Sequence, residues 1–158
     1  MSDLRRALHE LEREFGLNAV EILDVINNRN RCKIAVRGAI AEAHLLRHLR
    51  ELESAAVIER FEDYDIDGFP DCRAYYRGRS FLIECKNVEK PKPRKRAPES
   101  DPVTIDFQRT RNPIDKPWER FYLPDEFQIV AACLWNRTGI WNFRFAATAD
   151  LPRRRCRV

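Results

Sequence analysis

The chain has 158 residues, of which 34% are charged, and its formal net charge is +4. This length is typical of one domain with a buried core. We find no secretion-signal pattern and no run long enough to cross a membrane, which excludes a membrane-spanning class and predicts a cytoplasmic protein. The five cysteines are odd in number and lack paired metal-ligand spacing, which argues against a zinc site or a disulfide framework.

Two helices are expected in the amino-terminal region, residues 1–30. The first has apolar residues at helical spacing, namely Leu4, Leu8, Leu11 and Phe15. The second is predicted from the apolar residues of 20–26, and it ends at the polar break of residues 27–30. Both helices are predicted to precede the part of the chain that carries chemistry.

A third helix is predicted to carry a glutamate within its apolar face. That face comprises Gly38, Glu42, Leu45, Leu49, Leu52 and Ala56, and the opposite, solvent-facing side comprises Arg37, Ala41, His44, Arg47, His48 and Glu51. An ionised glutamate buried without a partner is costly. Glu42 is therefore either a partly exposed carboxylate at the rim of the core or, if Gly38 lets the helix approach a sheet closely, a residue of a metal site.

A strand is expected at residues 57–61, and a β-hairpin at residues 71–86 follows it. The first strand of the hairpin is rich in aromatic residues, the second is apolar, and Gly78 lies between them where a tight turn needs a glycine. Pairing of two strands of these lengths can bring Asp71, at the start of one, beside Glu84, near the end of the other.

The alternation of side chains along a strand divides the second half of this hairpin into two faces. Glu84 and Lys86 leave one face, and Ile83 and Cys85 leave the other, which we expect to be the core. A glutamate and a lysine on one strand face are often only solvated, and this alternative stays open from the spacing alone.

Two carboxylates held together repel each other unless a divalent cation lies between them. Hard oxygen ligands with an open coordination shell suit Mg²⁺, with Mn²⁺ as a substitute. A lysine one pleat away is placed to orient a metal-bound water or to neutralise a phosphate. The pattern of Asp71, Glu84 and Lys86 therefore predicts hydrolysis of phosphodiester bonds.

The order of these motifs resembles the PD-(D/E)xK nuclease superfamily, which includes type II restriction endonucleases and archaeal Holliday-junction resolvases. The resemblance covers roughly residues 34–88, and it is carried by the helix with Glu42, by Pro70-Asp71 and by Glu84-Cys85-Lys86. It implies an α/β fold with a restriction-endonuclease-like core, in which a mixed central sheet of four strands is flanked by helices.

The resemblance also implies roles for single residues. Asp71, Glu84 and the main-chain carbonyl of Cys85 would bind one or two Mg²⁺ ions, and Glu42 would be a metal ligand or would support one. Lys86 would position or activate the water that attacks the phosphate.

The stretch after the hairpin is also similar to some restriction-endonuclease-like proteins. Gln108 and Arg109, on a strand after the catalytic one, would then hold the scissile phosphate or the water, since guanidinium groups bind phosphate oxygens bidentately. The alternative is that Arg109 and Arg111 form surface ion pairs with Asp106 and Asp115.

Positive charge is concentrated in a proline-rich loop, residues 90–101, and in the tail, residues 151–158. Without the lysines and arginines of these two segments the net charge of +4 becomes negative. The predicted DNA-binding residues are Lys90, Lys92, Arg94, Lys95, Arg96, Arg109 and Arg111. Such contacts hold the phosphate backbone and carry little sequence information. The alternative is a solubilising loop and a disordered tail.

Two further strands, at residues 127–135 and 140–148, are predicted to form a hairpin around a turn at residues 136–139. Residues 1–158 are thus predicted to form a single nuclease domain. The expected function is that of a Mg²⁺-dependent DNA endonuclease, acting as a homodimer because cutting both strands takes two symmetric sites. The alternatives are a structure-specific DNase, such as a junction resolvase or repair nuclease, and a nucleic-acid-binding module without turnover.

Overall fold

The computed structural model describes residues 9–66, 68–90, 103–107, 122–123 and 125–151. By its internal contacts the chain divides into two compact units, residues 1–39 and residues 40–158. No described helix is both long and apolar enough to span a membrane. The prediction of a single domain over residues 1–158 stays a prediction.

The amino-terminal helices begin at side-chain caps that the sequence encodes. Helix α1 is Glu10–Phe15 and helix α2 is Ala19–Asn28. At each start a cap side chain accepts a backbone N–H of the first turn, and a glutamate three residues later accepts the N–H of the cap residue, as with Asn18 and Glu21. The second predicted helix is confirmed over these bounds. The first begins later than predicted, at Glu10, because His9 is extended and caps it, and Leu4 and Leu8 lie outside the described residues.

Helix α3, Asn30–Ser54, is the third predicted helix, and it ends at a backbone motif that sequence reasoning missed. Ala56 has a φ of 55°, and the N–H of Val57 bonds the carbonyl of Leu52, which closes the helix as in a Schellman motif. Val57 is exposed, and the following strand β1 is Arg60–Asp63. The strand predicted at residues 57–61 therefore begins later, at Arg60, because residues 56 and 57 form the end of the helix.

The apolar face of α3 is also rotated from the expected one. Ala41, Leu45 and Leu49 are its buried residues, so Ala41, which was expected to face solvent, lies in the core. His44, expected on the same solvent face, stacks on Trp141 with ring centroids 4.8 Å apart. A Cβ on Gly38 would meet no atom within 4 Å among the described residues.

The sheet has five strands in the order β1-β2-β3-β4-β5 among the described residues. The remaining strands are β2, Cys72–Tyr76; β3, Arg79–Asn87; β4, Ile129–Cys133; and β5, Phe143–Ala147. Of the described strands, β3 and β4 pair in parallel, and the other neighbours are antiparallel. The α/β fold with a mixed central sheet is confirmed, with five strands in place of four.

Two tight connections set the register of this sheet. Between β2 and β3, Arg77 and Gly78 both have positive φ, 51° and 69°, as a two-residue type I′ turn requires. Between β4 and β5, a short helix α4, Trp135–Thr138, ends at Gly139 with a φ of 71°. The predicted carboxy-terminal hairpin is confirmed, with one helical turn in its connection.

The two faces of the sheet have different partners. Helix α3 packs on the first face, where Ile83 and Cys85 are buried together with Leu45 and Leu49. The second face carries the other residues of β3, including Glu84 and Lys86, and farther along it a smaller apolar cluster around Val88 is covered in part by Val103 and Ile105. We call this second face the catalytic face because Glu84 and Lys86, which the sequence predicts to be catalytic, lie on it.

Candidate active site

The β2–β3 hairpin brings Asp71 and Glu84 together as the spacing predicted. Cys72 pairs with Ile83, so the next residue outward on each strand places Asp71 opposite Glu84 on the catalytic face. The backbone N–H of Cys85 donates a hydrogen bond of 2.6 Å to Oδ2 of Asp71. This bond fixes the carboxylate of Asp71 at the side of β3.

Glu84 is the centre of a small buried network. Its side chain is 3% exposed, and Oε1 lies 2.5 Å from Nζ of Lys86. The hydroxyl of Tyr122 donates a 2.5 Å hydrogen bond to the same oxygen and accepts one of 3.0 Å from Lys86. The ammonium of Lys86 also lies 5.0 Å from the centre of the Tyr122 ring. The three groups therefore hold one another in a fixed geometry.

The proximity of the two acids raises the cost of ionising them both. Burial, and then the negative charge of Glu84, raise the pKa of Asp71 from 3.8 to about 7, against the opposing effect of the hydrogen bond from Cys85. A pKa this far from the ordinary value in a polar cluster is common at functional sites. The charge of Lys86 also lowers the pKa of Asp71, but it does not offset burial and the charge of Glu84.

Lys86 remains protonated in this arrangement. Burial by itself lowers the pKa of Lys86, but the charge of Glu84 and the hydrogen bonds with Glu84 and Tyr122 outweigh it and raise the pKa above its usual value. Burial and the hydrogen bond to Glu84 raise the pKa of Tyr122 to about 12. Lys86 is therefore a cation and hydrogen-bond donor, and Tyr122 is a neutral hydroxyl.

Glu42 lies near this group without a bond to it. Burial raises its pKa, the charge of Lys86 lowers it, and the charges of Glu84 and Asp65 raise it again, so that the net direction is upward. Its charge in turn raises the pKa of Asp71. Among the described residues no hydrogen bond or ion pair joins Glu42 to the other acids. Its prediction as a catalytic or metal-binding residue stays a prediction.

The donor set fits a hard divalent cation on two observations. Oδ1 of Asp71 and Oε2 of Glu84 each make no hydrogen bond to a described residue, whereas the other oxygen of each carboxylate is held in place. Burial and the charge of Glu84 raise the pKa of Asp71, and a divalent cation beside the two carboxylates would favour the ionised form of Asp71. Within the described ranges, no three His, Cys, Asp or Glu side chains form a ready-made metal cluster. The carboxylate oxygens that could bind a metal ion here are thus those of Asp71 and Glu84.

Several predicted site residues cannot be placed in this geometry. Gln108, Arg109 and Arg111 lie outside the described residues, as do the tail of residues 152–158 and the loop residues Lys92, Arg94, Lys95 and Arg96. Lys90 is described and exposed, three residues beyond the end of β3. The roles predicted for these residues in binding DNA stay predictions.

Tyr122 is the member of the site that sequence reasoning did not select. It lies 36 residues after Lys86 and outside any strand, so neither periodicity nor spacing marks it. The hydrogen bonds it forms are tertiary, and the apolar residue that supports its ring is Phe127, whose ring centroid is 5.3 Å away. Only the folded chain identifies it.

No protein-family model matches the chain, and no curated protein sequence matches it significantly. Among solved structures, it is similar to the bacterial homing endonuclease I-Ssp6803I, over 72% of this chain and 68% of the other. The sequence identity is 13% and the TM-score is 0.49. At these values the similarity indicates no activity, and function has to be inferred from the residues of the site.

Proposed function

We propose that the chain is a Mg²⁺-dependent endonuclease that hydrolyses phosphodiester bonds in DNA, restriction-endonuclease-like and acting as a homodimer. The observation that supports this most is the grouping of Asp71, Glu84 and Lys86 on the catalytic face, by strand register and with a raised pKa at Asp71. Two acids and a lysine in this arrangement suit metal-assisted phosphoryl chemistry.

Asp71 and Glu84 would hold the metal ion through the two carboxylate oxygens that are not already hydrogen-bonded. A bound Mg²⁺ supplies Lewis-acid stabilisation of phosphoryl oxygens and a lowered pKa for water. Side chains of the protein would position the water, the phosphate and the metal ligands. Lys86, as a cation, would donate to the attacking water or to a phosphate oxygen, and Tyr122 would keep Lys86 and Glu84 in register.

The first experiment is a cleavage assay with supercoiled plasmid, branched DNA and single-stranded DNA, in Mg²⁺ and in EDTA. We expect cleavage in Mg²⁺ or Mn²⁺ and none in EDTA. Discrete plasmid fragments indicate sequence-specific cutting, and cutting of only branched or single-stranded DNA indicates the structure-specific DNase. DNA binding without cleavage of any substrate would contradict the proposal and favour a non-catalytic binding module.

Variants then test the residues of the site. Lys86→Ala is expected to reduce cleavage by about a hundredfold or more, with DNA binding retained, because the loss of a positioned charge acts mainly in the transition state. The matched control is Asp63→Asn, at an exposed acid of β1 whose strand partner, Cys72, faces α3. Unchanged cleavage by Lys86→Ala would refute the role of Lys86.

A further inference from the structure

The catalytic face extends beyond the two acids into a group of arginines and tyrosines. Residues that pair directly across antiparallel strands share a face, and those two apart on a strand do as well. Glu62 pairs with Arg73, Arg60 pairs with Tyr75, and Arg73 pairs with Leu82, which lies two residues before Glu84. Arg73 is likewise two residues after Asp71. Arg60, Arg73 and Tyr75 thus lie on the same face as the acids.

Their distance from the acids follows from strand geometry. Two residues along a strand span about 7 Å, so Arg73 lies about 7 Å and Tyr75 about 13 Å beyond Asp71. The first distance is comparable to the separation of neighbouring phosphates in one nucleic-acid strand. If Asp71 and Glu84 act at one phosphate, Arg73 is placed to reach the next.

Arg73 keeps donors that its neighbours do not use, although a side-chain hydrogen bond with Tyr75 and the charge of Glu62 both raise the pKa of its guanidinium. The carboxylate of Glu62, directly across from it, instead accepts hydrogen bonds from Tyr64 at 2.5 Å and from Tyr75 at 3.1 and 3.2 Å, and it also pairs with Arg60. Arg73 makes no ion pair with any described residue, and its Nε–H is buried without a hydrogen-bond partner there. A guanidinium with spare donors suits an anionic oxygen.

Aromatic rings hold both guanidinium groups against the sheet. The guanidinium of Arg60 lies 3.6 Å from the centre of the Tyr75 ring, and that of Arg73 lies 5.7 Å from the Tyr64 ring. The side chain of Arg60 nevertheless remains 52% exposed. Arginines that are restrained by stacking and still reach solvent lose little side-chain entropy when a phosphate binds.

We propose that Arg73 and Arg60 bind the phosphate backbone of the DNA strand next to the phosphate that is cut, Arg73 at the adjacent phosphate and Arg60 farther along. The inference rests on the proposed function, which supplies the DNA substrate. It deepens that function by naming a phosphate-binding track on the catalytic face, formed by Arg73 and Arg60. These two arginines are binding residues, and they precede the basic loop in sequence.

The test measures binding of a fluorescent DNA duplex in EDTA, by anisotropy at several salt concentrations. Each of Arg73→Gln and Arg60→Gln is expected to weaken binding about tenfold and to reduce the slope of log affinity against log salt by about 0.9, the value for one lost phosphate contact. Arg73→Lys is expected to retain the slope, because it keeps the charge.

The matched control is Arg79→Gln. Arg79 also belongs to the β2–β3 hairpin and lies 5.7 Å from a ring, that of Phe81, but its strand partner Tyr76 is on the face of α3. The Arg79→Gln variant should show the same slope of log affinity against log salt as the wild type. Thermal melts of all variants exclude unfolding as the cause of a loss in binding.

The outcomes separate the inference from the proposed function. If Arg73→Gln and Arg60→Gln reduce the salt slope of DNA binding but the wild type cuts no DNA in Mg²⁺, the track stands and the nuclease proposal fails. If the wild type cuts DNA and both variants bind like Arg79→Gln, the nuclease proposal stands and the track is overturned. A wild-type protein that binds no DNA overturns the track as well.

Discussion

Replacement of Asp71 by asparagine should stabilise the metal-free protein at alkaline pH. In the folded chain the pKa of Asp71 is about 7, whereas its ordinary value is 3.8. Between these values the folded state binds more protons than the unfolded state, so stability falls as pH rises from about 4 to about 7. Above pH 7 the full cost of ionisation is present, and below pH 3.8 it is absent. Asparagine removes this cost and still accepts the hydrogen bond from Cys85.

The size of the gain follows from the two pKa values. Each pH unit between 3.8 and about 7 corresponds to about 1.4 kcal/mol, which amounts to about 4 kcal/mol in all. Solvent reaches part of the side chain and screens the charges, so we expect a gain of about 2 kcal/mol in the free energy of unfolding. For a chain of 158 residues this corresponds to a rise in Tm of about 4–8 °C.

The assay is thermal and urea unfolding of the wild type and Asp71→Asn in EDTA, from pH 4 to pH 8. The variant should match the wild type near pH 4 and exceed it at pH 8. Addition of Mg²⁺ should raise the Tm of the wild type and leave that of the variant unchanged, because a ligand stabilises only the state that binds it. A variant less stable than the wild type at pH 8, or a difference independent of pH, would refute the reasoning about two acids held together.

Three further predictions concern the site, the thiols and the core. Tyr122→Phe should lower cleavage about tenfold, less than Lys86→Ala does, because the ion pair between Lys86 and Glu84 survives without the hydroxyl; equal losses would show that Tyr122 does more than position them. A maleimide should label Cys32 in the native protein, whereas the buried thiols should react only on unfolding, as peptide mass spectrometry can read out; these thiols are Cys72, Cys85 and Cys133. Leu45→Ala should cost about 3 kcal/mol in urea unfolding, and Leu23→Ala, at a side chain 62% exposed, less than about 0.5 kcal/mol; similar costs would contradict the assignment of the core.

Much of the hairpin was predictable because its signals are local. Alternation along a strand placed Glu84 and Lys86 on one face and Ile83 in the core, and a glycine between two strand-like runs predicted the turn. Once a two-residue turn sets the register, the meeting of Asp71 and Glu84 follows from counting residues. These features depend on neighbours in the sequence.

The end of α3 and the orientation of its faces were not predicted correctly. Ala56 takes a positive φ that its residue type does not indicate, and Ala41 is buried because of the sheet it meets. A small residue such as alanine fits either face of a helix, so periodicity alone does not fix the boundary of an apolar stripe. Packing decides it.

The sequence by itself determined the hairpin, its register and hence the pair of acids with a lysine beside them. Only the tertiary structure decided that Tyr122, far along the chain, bonds both Lys86 and Glu84, and that Arg73 and Arg60 share their face. The physical reason is the separation along the sequence of the residues that set each feature. Backbone pairing in a tight hairpin is set by residues a few positions apart, whereas the contacts of a side chain with distant segments depend on how those segments pack, which no local pattern records.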